Sequence, residues 1–121
     1  MRITVDEARA YFAHPSQHVR VTPEELPDGL EYWADSGVCL VLHPTAAADV
    51  WMAHIGVKPE AWGKTTEPTR RILEAFWRAK QPRRIVAWID DHRRAAIALA
   101  RKAGAVTDGQ FPGTIMLGWR L

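Results

Sequence analysis

Val57-Lys58-Pro59-Glu60-Ala61-Trp62-Gly63-Lys64-Thr65-Thr66 is the stretch on which the fold of this chain turns. Upstream, residues 49 to 57 (Asp-Val-Trp-Met-Ala-His-Ile-Gly-Val) read as a strand. Downstream, Pro68 to Lys80 reads as a helix: Ile72, Leu73, Phe76 and Trp77 recur at helical spacing, with Arg70, Arg71, Glu74 and Arg78 on the other side. A strand that runs through a polar, glycine-containing turn into a helix leaves the first helical N–H groups unpaired, and such an end can hold a phosphate. Gln81-Pro82 stops the helix, and a strand over Arg84 to Ile89, a helix over His92 to Ala103 and Gly104-Ala105-Val106 follow. Asp90-Asp91 suits the start of that second helix, Arg101 and Lys102 its negative end, and Gly104 a left-handed cap. A strand reached from the previous strand through a helix favours parallel pairing, so the sheet is mixed.

This order, with Val-x-Pro-Glu at Val57 to Glu60, Trp-Gly-Lys at Trp62 to Lys64 and Lys-x-Gly at Lys102 to Gly104, resembles the acetyl-CoA-dependent N-acetyltransferases of the GNAT superfamily over roughly the second half of the chain. The resemblance implies an α/β (α+β) fold with a mixed, mostly antiparallel sheet that splays open beside the cofactor. It implies an acetyl-CoA-dependent transfer of an acetyl group to a small-molecule or protein amine. It also implies that the backbone at Ile55 and Val57 takes the acyl arm, while Trp62, Gly63, Lys64, Thr65 and Thr66 take the pyrophosphate. The family consensus at the turn is Gln/Arg-x-x-Gly-x-Gly/Ala, because glycine lets the backbone curl with its N–H groups inward. Here Thr65 and Glu67 replace the two small residues, a carboxylate is added, and Pro68 has no N–H to offer. Where many members carry a tyrosine that protonates the leaving thiolate, four residues before the closing glycine, this chain has Ala100; Arg93 stands where Asn is frequent. These departures mark a degenerate member with weakened or lost acetyl-CoA binding. The chain is also loosely similar to GNAT-like proteins of tailed bacteriophages, some of which belong to the virion. That likeness implies the alternative of a catalytically silent structural or interaction protein.

The 121 residues suit a single domain over 1–121, and 47% apolar with 25% charged residues is an ordinary globular composition. No apolar run approaches the ~20 residues of a membrane span, and the amino terminus lacks a signal-peptide plan, so a cytoplasmic protein is expected, or a virion location on the bacteriophage likeness. The single Cys39 excludes an internal disulfide and lies in the apolar run Val38 to Leu42 as a packed strand residue. Through Val57 there are 3 Lys+Arg against 8 Asp+Glu, whereas Lys58 to Lys102 holds 12 against 5. That basic half suits an anionic cofactor, nucleic acid or an acidic protein partner, or its arginines simply solvate two helix faces. Helix-turn-helix, ribonucleoprotein and zinc-ligand patterns are lacking, which argues against nucleic acid and a metal.

In the first half, Thr4 and Glu7 form a capping-box pattern for a helix from Val5 to Ala13. Val19 to Val21 reads as a short strand and Thr22-Pro23-Glu24-Glu25 as a helix start. Glu31 to Ala34 and Val38 to Leu42 make a hairpin around Asp35-Ser36-Gly37, and His43-Pro44-Thr45 turns the chain into the strand that ends at the key stretch. On that strand His54 is a candidate general base, since imidazole titrates near ~6.5. Asp49 is a candidate water-activating carboxylate, or else a turn residue. Gly56 marks a candidate bulge. Gly109 to Gly113 reads as a turn and Thr114 to Trp119 as the last strand. A ferredoxin-like sheet is the rival arrangement of the same pattern.

Overall fold

The computed structural model describes residues 1–14 and 30–120; the expectations for residues 19 to 25 lie outside them. In chain order the elements are β1 (Arg2–Ile3), α1 (Val5–Arg9) with a 3-10 turn over Ala10–Phe12, β2 (Glu31–Asp35), β3 (Val38–Pro44), β4 (Val50–Val57), a 3-10 turn over Pro59–Ala61, α2 (Thr66–Lys80), β5 (Arg84–Asp90), α3 (Arg94–Lys102), β6 (Val106–Phe111) and β7 (Thr114–Trp119). Among the described residues seven strands form one sheet in the order β1-β2-β3-β4-β5-β7-β6. Every pairing is antiparallel except β4 with β5, and that order excludes the ferredoxin-like rival.

Two cores lie on opposite faces of the sheet. On one, α2 buries Ile72, Leu73, Phe76 and Trp77, and α3 buries Ile97 and Ala100, against Leu40, Leu42, Ala53, Ile85, Ala87 and Leu117. At about 1.5–3 kcal/mol for each fully buried large side chain, this face is the main source of stability. The Phe76 ring meets Trp33 and Trp51 edge-on at 5.6 and 5.1 Å. On the other face Ala8 and Phe12 pack on Tyr32, Ala34, Cys39 and Val41. The capping box forms as expected: the Glu7 N–H donates to Thr4 Oγ1 at 3.2 Å and the Thr4 N–H to Glu7 Oε1 at 3.2 Å. The helix is shorter than expected, because the chain tightens to 3-10 geometry at Ala10 and so brings Phe12 down on the sheet.

Several boundaries depart from expectation for identifiable reasons. The β2–β3 loop is the two-residue type, with Ser36 and Gly37 both at positive φ (48° and 83°). His43 and Pro44 continue β3, paired with Met52 and Trp51, so the turn lies instead at 45 to 49. There the Thr45 hydroxyl and N–H both donate to the Val50 carbonyl, at 2.8 and 2.9 Å. Gly56 makes no bulge, since its pairing with Cys39 is in continuous register; it is glycine because Phe12 lies where a Cβ would be, 2.7 Å away. Helix α2 begins at Thr66, two residues early. Pro68 is tolerated at its third position, where an N–H has no helical partner. Asp90 completes β5 and pairs with Arg93 at 3.4 Å, so no aspartate caps α3. Gly104 takes φ +107° as expected, but residues 109 to 111 belong to the edge strand β6 rather than to a turn.

Candidate functional site

The central feature is the short ladder between the two parallel strands. β4 and β5 pair only at Val50 with Arg84, Trp51 with Ile85 and Met52 with Val86. Both strands continue, to Val57 and Asp90, with no further rung, while each keeps its outer neighbour in register. The sheet therefore opens as a wedge toward the carboxyl ends of β4 and β5, the place where ligands bind in sheets with parallel strands.

Ile55 and Val57 lie on the β4 arm past the last rung, their side chains packed on the helical-face core. The turn into α2 is next. Ala61 to Lys64 form a type II turn: Trp62 has φ −56° and ψ 131°, Gly63 has φ +80°, and the Lys64 N–H donates to the Ala61 carbonyl at 2.9 Å. Nothing crowds Gly63, so glycine serves the backbone conformation there and not a close approach. The expectation that the Lys64 amide faces a pyrophosphate is corrected, because that N–H closes the turn; its ammonium stays available. Thr65 is the N-cap residue of α2 but makes no side-chain cap, so Thr66 and Glu67 present first-turn N–H groups with no partner inside the helix. Glu67 is not the repulsive group expected, since its carboxylate accepts from Arg70 Nη1 at 3.3 Å. The stretch is moored on both sides. The Lys58 N–H donates to Gly37 O at 2.8 Å, the Lys58 ammonium sits 4.5 Å above the Tyr11 ring, and the Trp62 ring meets His14 edge-on at 5.0 Å.

His54 projects from the β4 arm on the face opposite α2 and α3, two residues beyond the last rung. Its partner is His43, a residue the sequence reading placed in a turn. The rings stack at 5.2 Å and 14°, with the two Nε2 atoms 3.1 Å apart. His43 Nδ1 lies 3.1 Å from the Pro44 carbonyl, which can only accept, so in the neutral pair Nδ1 of His43 carries the proton and its Nε2 is the acceptor. His54 then donates through Nε2 and keeps its Nδ1 lone pair free. Although His54 retains a solvent-exposed edge, desolvation of the ring lowers its pKa below the usual histidine value, and the charge of His43 lowers it further. Both effects favour His54 in the neutral form that a proton acceptor needs.

Asp49 is not brought to this site. It is exposed in the loop, at φ +60°, just before the first rung and so at the closed end of the wedge; its carbonyl accepts the Arg83 N–H at 2.8 Å. It acts as the turn residue of the two readings. Ala100 is buried in the helical-face core and offers no proton donor. Arg93, which follows the outer end of β5, keeps a buried guanidinium nitrogen, Nη1, with no hydrogen-bond partner. The two open amides of α2, with the Lys64 ammonium beside them in sequence, fit an anionic, phosphate-bearing ligand, as the nucleotide end of acetyl-CoA is. Of the cations expected to form a basic face, Arg71 is tied to Asp35 at 2.8 Å and Arg70 to the Lys102 carbonyl at 3.1 Å, so both hold the fold together. Cys39 is fully buried, and burial pushes its thiol up to about 12.

Comparison with known proteins agrees with this architecture. No protein-family model matches the chain, and no curated protein matches it in sequence. Solved structures do: the GNAT-family acetyltransferase of Bacillus anthracis at 15% identity and TM-score 0.60, over 69% of this chain and 57% of that one; the GNAT-family acetyltransferase of Streptococcus pneumoniae at 14% and 0.60, over 94% and 89%; and the Campylobacter jejuni N-acetyltransferase PseH in complex with acetyl coenzyme A, at 8% and 0.62, over 78% and 70%. The chain spans little more than half the length of the Bacillus anthracis and Agrobacterium tumefaciens acetyltransferases it matches, 57% and 53%. At these identities the likeness establishes the fold, which is that of the GNAT acetyltransferases.

Proposed function

We propose that this chain is a GNAT-type N-acetyltransferase that moves an acetyl group from acetyl-CoA to an amine. The observation that carries the reading is the β4–β5 ladder, which ends after three rungs and opens toward a bare helix start, with His54 on the opened arm. Acetyl-CoA, when bound, supplies an acyl carbonyl activated as a thioester. The amides of Thr66 and Glu67 and the Lys64 ammonium would hold its phosphates, and the β4 backbone at Ile55 and Val57 its acyl arm. His54 Nδ1 takes the proton that the acceptor amine loses as it becomes nucleophilic, and His43 fixes the His54 ring and tautomer. Ala100 cannot return a proton, which leaves that step to solvent.

The test is acetyl transfer to a panel of amines, followed by mass spectrometry. His54→Gln is expected to lower the rate about a hundredfold or more, the usual contribution of a positioned base. Transfer unchanged in that variant would reject His54 as the base. The second reading is a catalytically silent interaction protein on the same fold, which a bacteriophage particle could use. It is favoured by the core position of Ala100 and by the Lys64 amide being spent within its turn. It predicts no transfer and no acetyl-CoA binding, together with co-purification of a protein or particle partner.

A further inference from the structure

Trp88 and Phe111 are the unexplained residues of this molecule. Their rings stack at 5.3 Å and 20°, yet they are 48% and 49% exposed and join neither core. A stacked aromatic pair left in water forgoes burial that the fold could have used, and such a patch beside an opening marks a binding surface. Its position is fixed by register. The rungs run from Val50 with Arg84 to Met52 with Val86, and carrying the same offset two residues further sets His54 level with Trp88. Side chains alternate faces along a strand, so Met52, His54, Val86 and Trp88 share the face opposite α2 and α3. His54 and Trp88 therefore stand on the two arms of the wedge, at one height and on one side. Met116 extends the wall: it pairs with Trp88 and with Gly109, and Phe111 and the Met116 methyl both lie over Gly109, 3.4 and 3.5 Å from where its Cβ would be.

The geometry points to an acceptor subsite for aryl-alkyl primary amines, with the aromatic ring on the Trp88–Phe111–Met116 wall and the nitrogen directed across the gap to His54. The inference rests on the acetyltransferase reading for the role of His54 alone. The linker must span an unpaired gap, which exceeds the ~4.8 Å between paired strands. Flat rings gain from stacking on tryptophan, and a protonated amine gains from its electron-rich face. A polyamine or a small polar amine would leave the aromatic wall unused.

The experiment is nuclear magnetic resonance titration of the whole chain, with its six tryptophan indole N–H signals assigned through Trp→Phe variants. 2-Phenylethylamine is expected to shift the Trp88 indole signal and to bind about tenfold more tightly than butylamine or spermidine. Trp88→Ala should remove that advantage and Trp88→Phe should keep most of it. The inference is overturned if the Trp88 signal stays still at millimolar phenylethylamine, if spermidine binds as tightly, if Trp88→Ala changes nothing, or if the signal moves with protein concentration because a second copy covers the wall. Binding to Trp88 is read without turnover, so an aromatic subsite in a chain that does not bind acetyl-CoA would overturn the acetyltransferase reading and leave the subsite standing.

Discussion

Gly56→Ala probes the roof over the β4 arm. A Cβ built there would lie 2.7 Å from two Phe12 ring carbons and 2.9 Å from a third, against ordinary carbon contacts of about 3.5–4.0 Å. The overlap of about 0.6–1.3 Å falls on a ring that is itself 4% exposed, so Phe12 cannot swing into solvent without uncovering Tyr32, Cys39 and Val41. Overpacking of this kind costs about 1–3 kcal/mol, and the better strand entropy of alanine returns about 0.5–1. The net loss, about 1.3 kcal/mol at mid-range and at most about 2.5, lowers the melting temperature of a domain this size by roughly 4–8 °C at mid-range. Urea denaturation followed by circular dichroism measures it. In the double variant with Phe12→Leu the loss should fall short of the sum of the single changes by about 0.5 kcal/mol or more, because the two sites touch. If Gly56→Ala is neutral or stabilising, and additive with Phe12→Leu, then Phe12 does not rest on β4 and the account of that face is wrong.

Further outcomes follow from other contacts. Cys39 should resist Ellman's reagent in the folded protein and react only at the rate of global unfolding, since its thiol is buried with a pKa pushed up to about 12. Because the folded pKa of His54 is depressed, the unfolded chain takes up that proton first. Its contribution to stability is thus complete above the ordinary histidine pKa and is lost as pH falls toward the folded value. The acetyl-transfer rate should hold to the same lower pH, and His43→Phe should move its acid limb upward; an unmoved limb would remove His43 from the site. Glu31, 7% exposed, accepts from Lys80 at 2.9 Å and from Trp33 Nε1 at 3.2 Å; Glu31→Ala should cost about 1–3 kcal/mol by chemical denaturation. Thr65→Gly with Glu67→Ala should raise acetyl-CoA affinity by at most about tenfold in calorimetry, mostly through Thr65, because Arg70 already engages Glu67.

The periodic elements were legible because their burial repeats in the sequence: the stripe of α2, the apolar runs of β3 and β5, and the Thr4–Glu7 box all form as read. The turn chemistry was legible only in part. Gly63 announces a positive φ, but nothing in the sequence announces that the Lys64 N–H closes the turn on the Ala61 carbonyl. Edge strand β6 escaped because Val106-Thr-Asp-Gly-Gln-Phe is polar, carries glycine and buries little, so it has the composition of a loop. The histidine pair was half visible. His54 stood out alone, whereas His43 meets it only because β3 runs on through Pro44, and a Pro in that position reads as a stop. Trp88 and Phe111 are far apart in sequence and on strands that never pair with each other; β7 lies between them. No local pattern announces that stack.

The most direct test of the central claim is a titration of acetyl-CoA into the 15N-labelled protein, followed amide by amide. The account predicts saturable shifts, at sub-millimolar to low millimolar ligand, along the opened β4 arm from Ala53 to Val57 and at the α2 start from Thr65 to Glu67, with the paired end at Val50 and Arg84 unmoved. No shifts at millimolar acetyl-CoA, or shifts confined to the outer faces of α2 and α3, would contradict it.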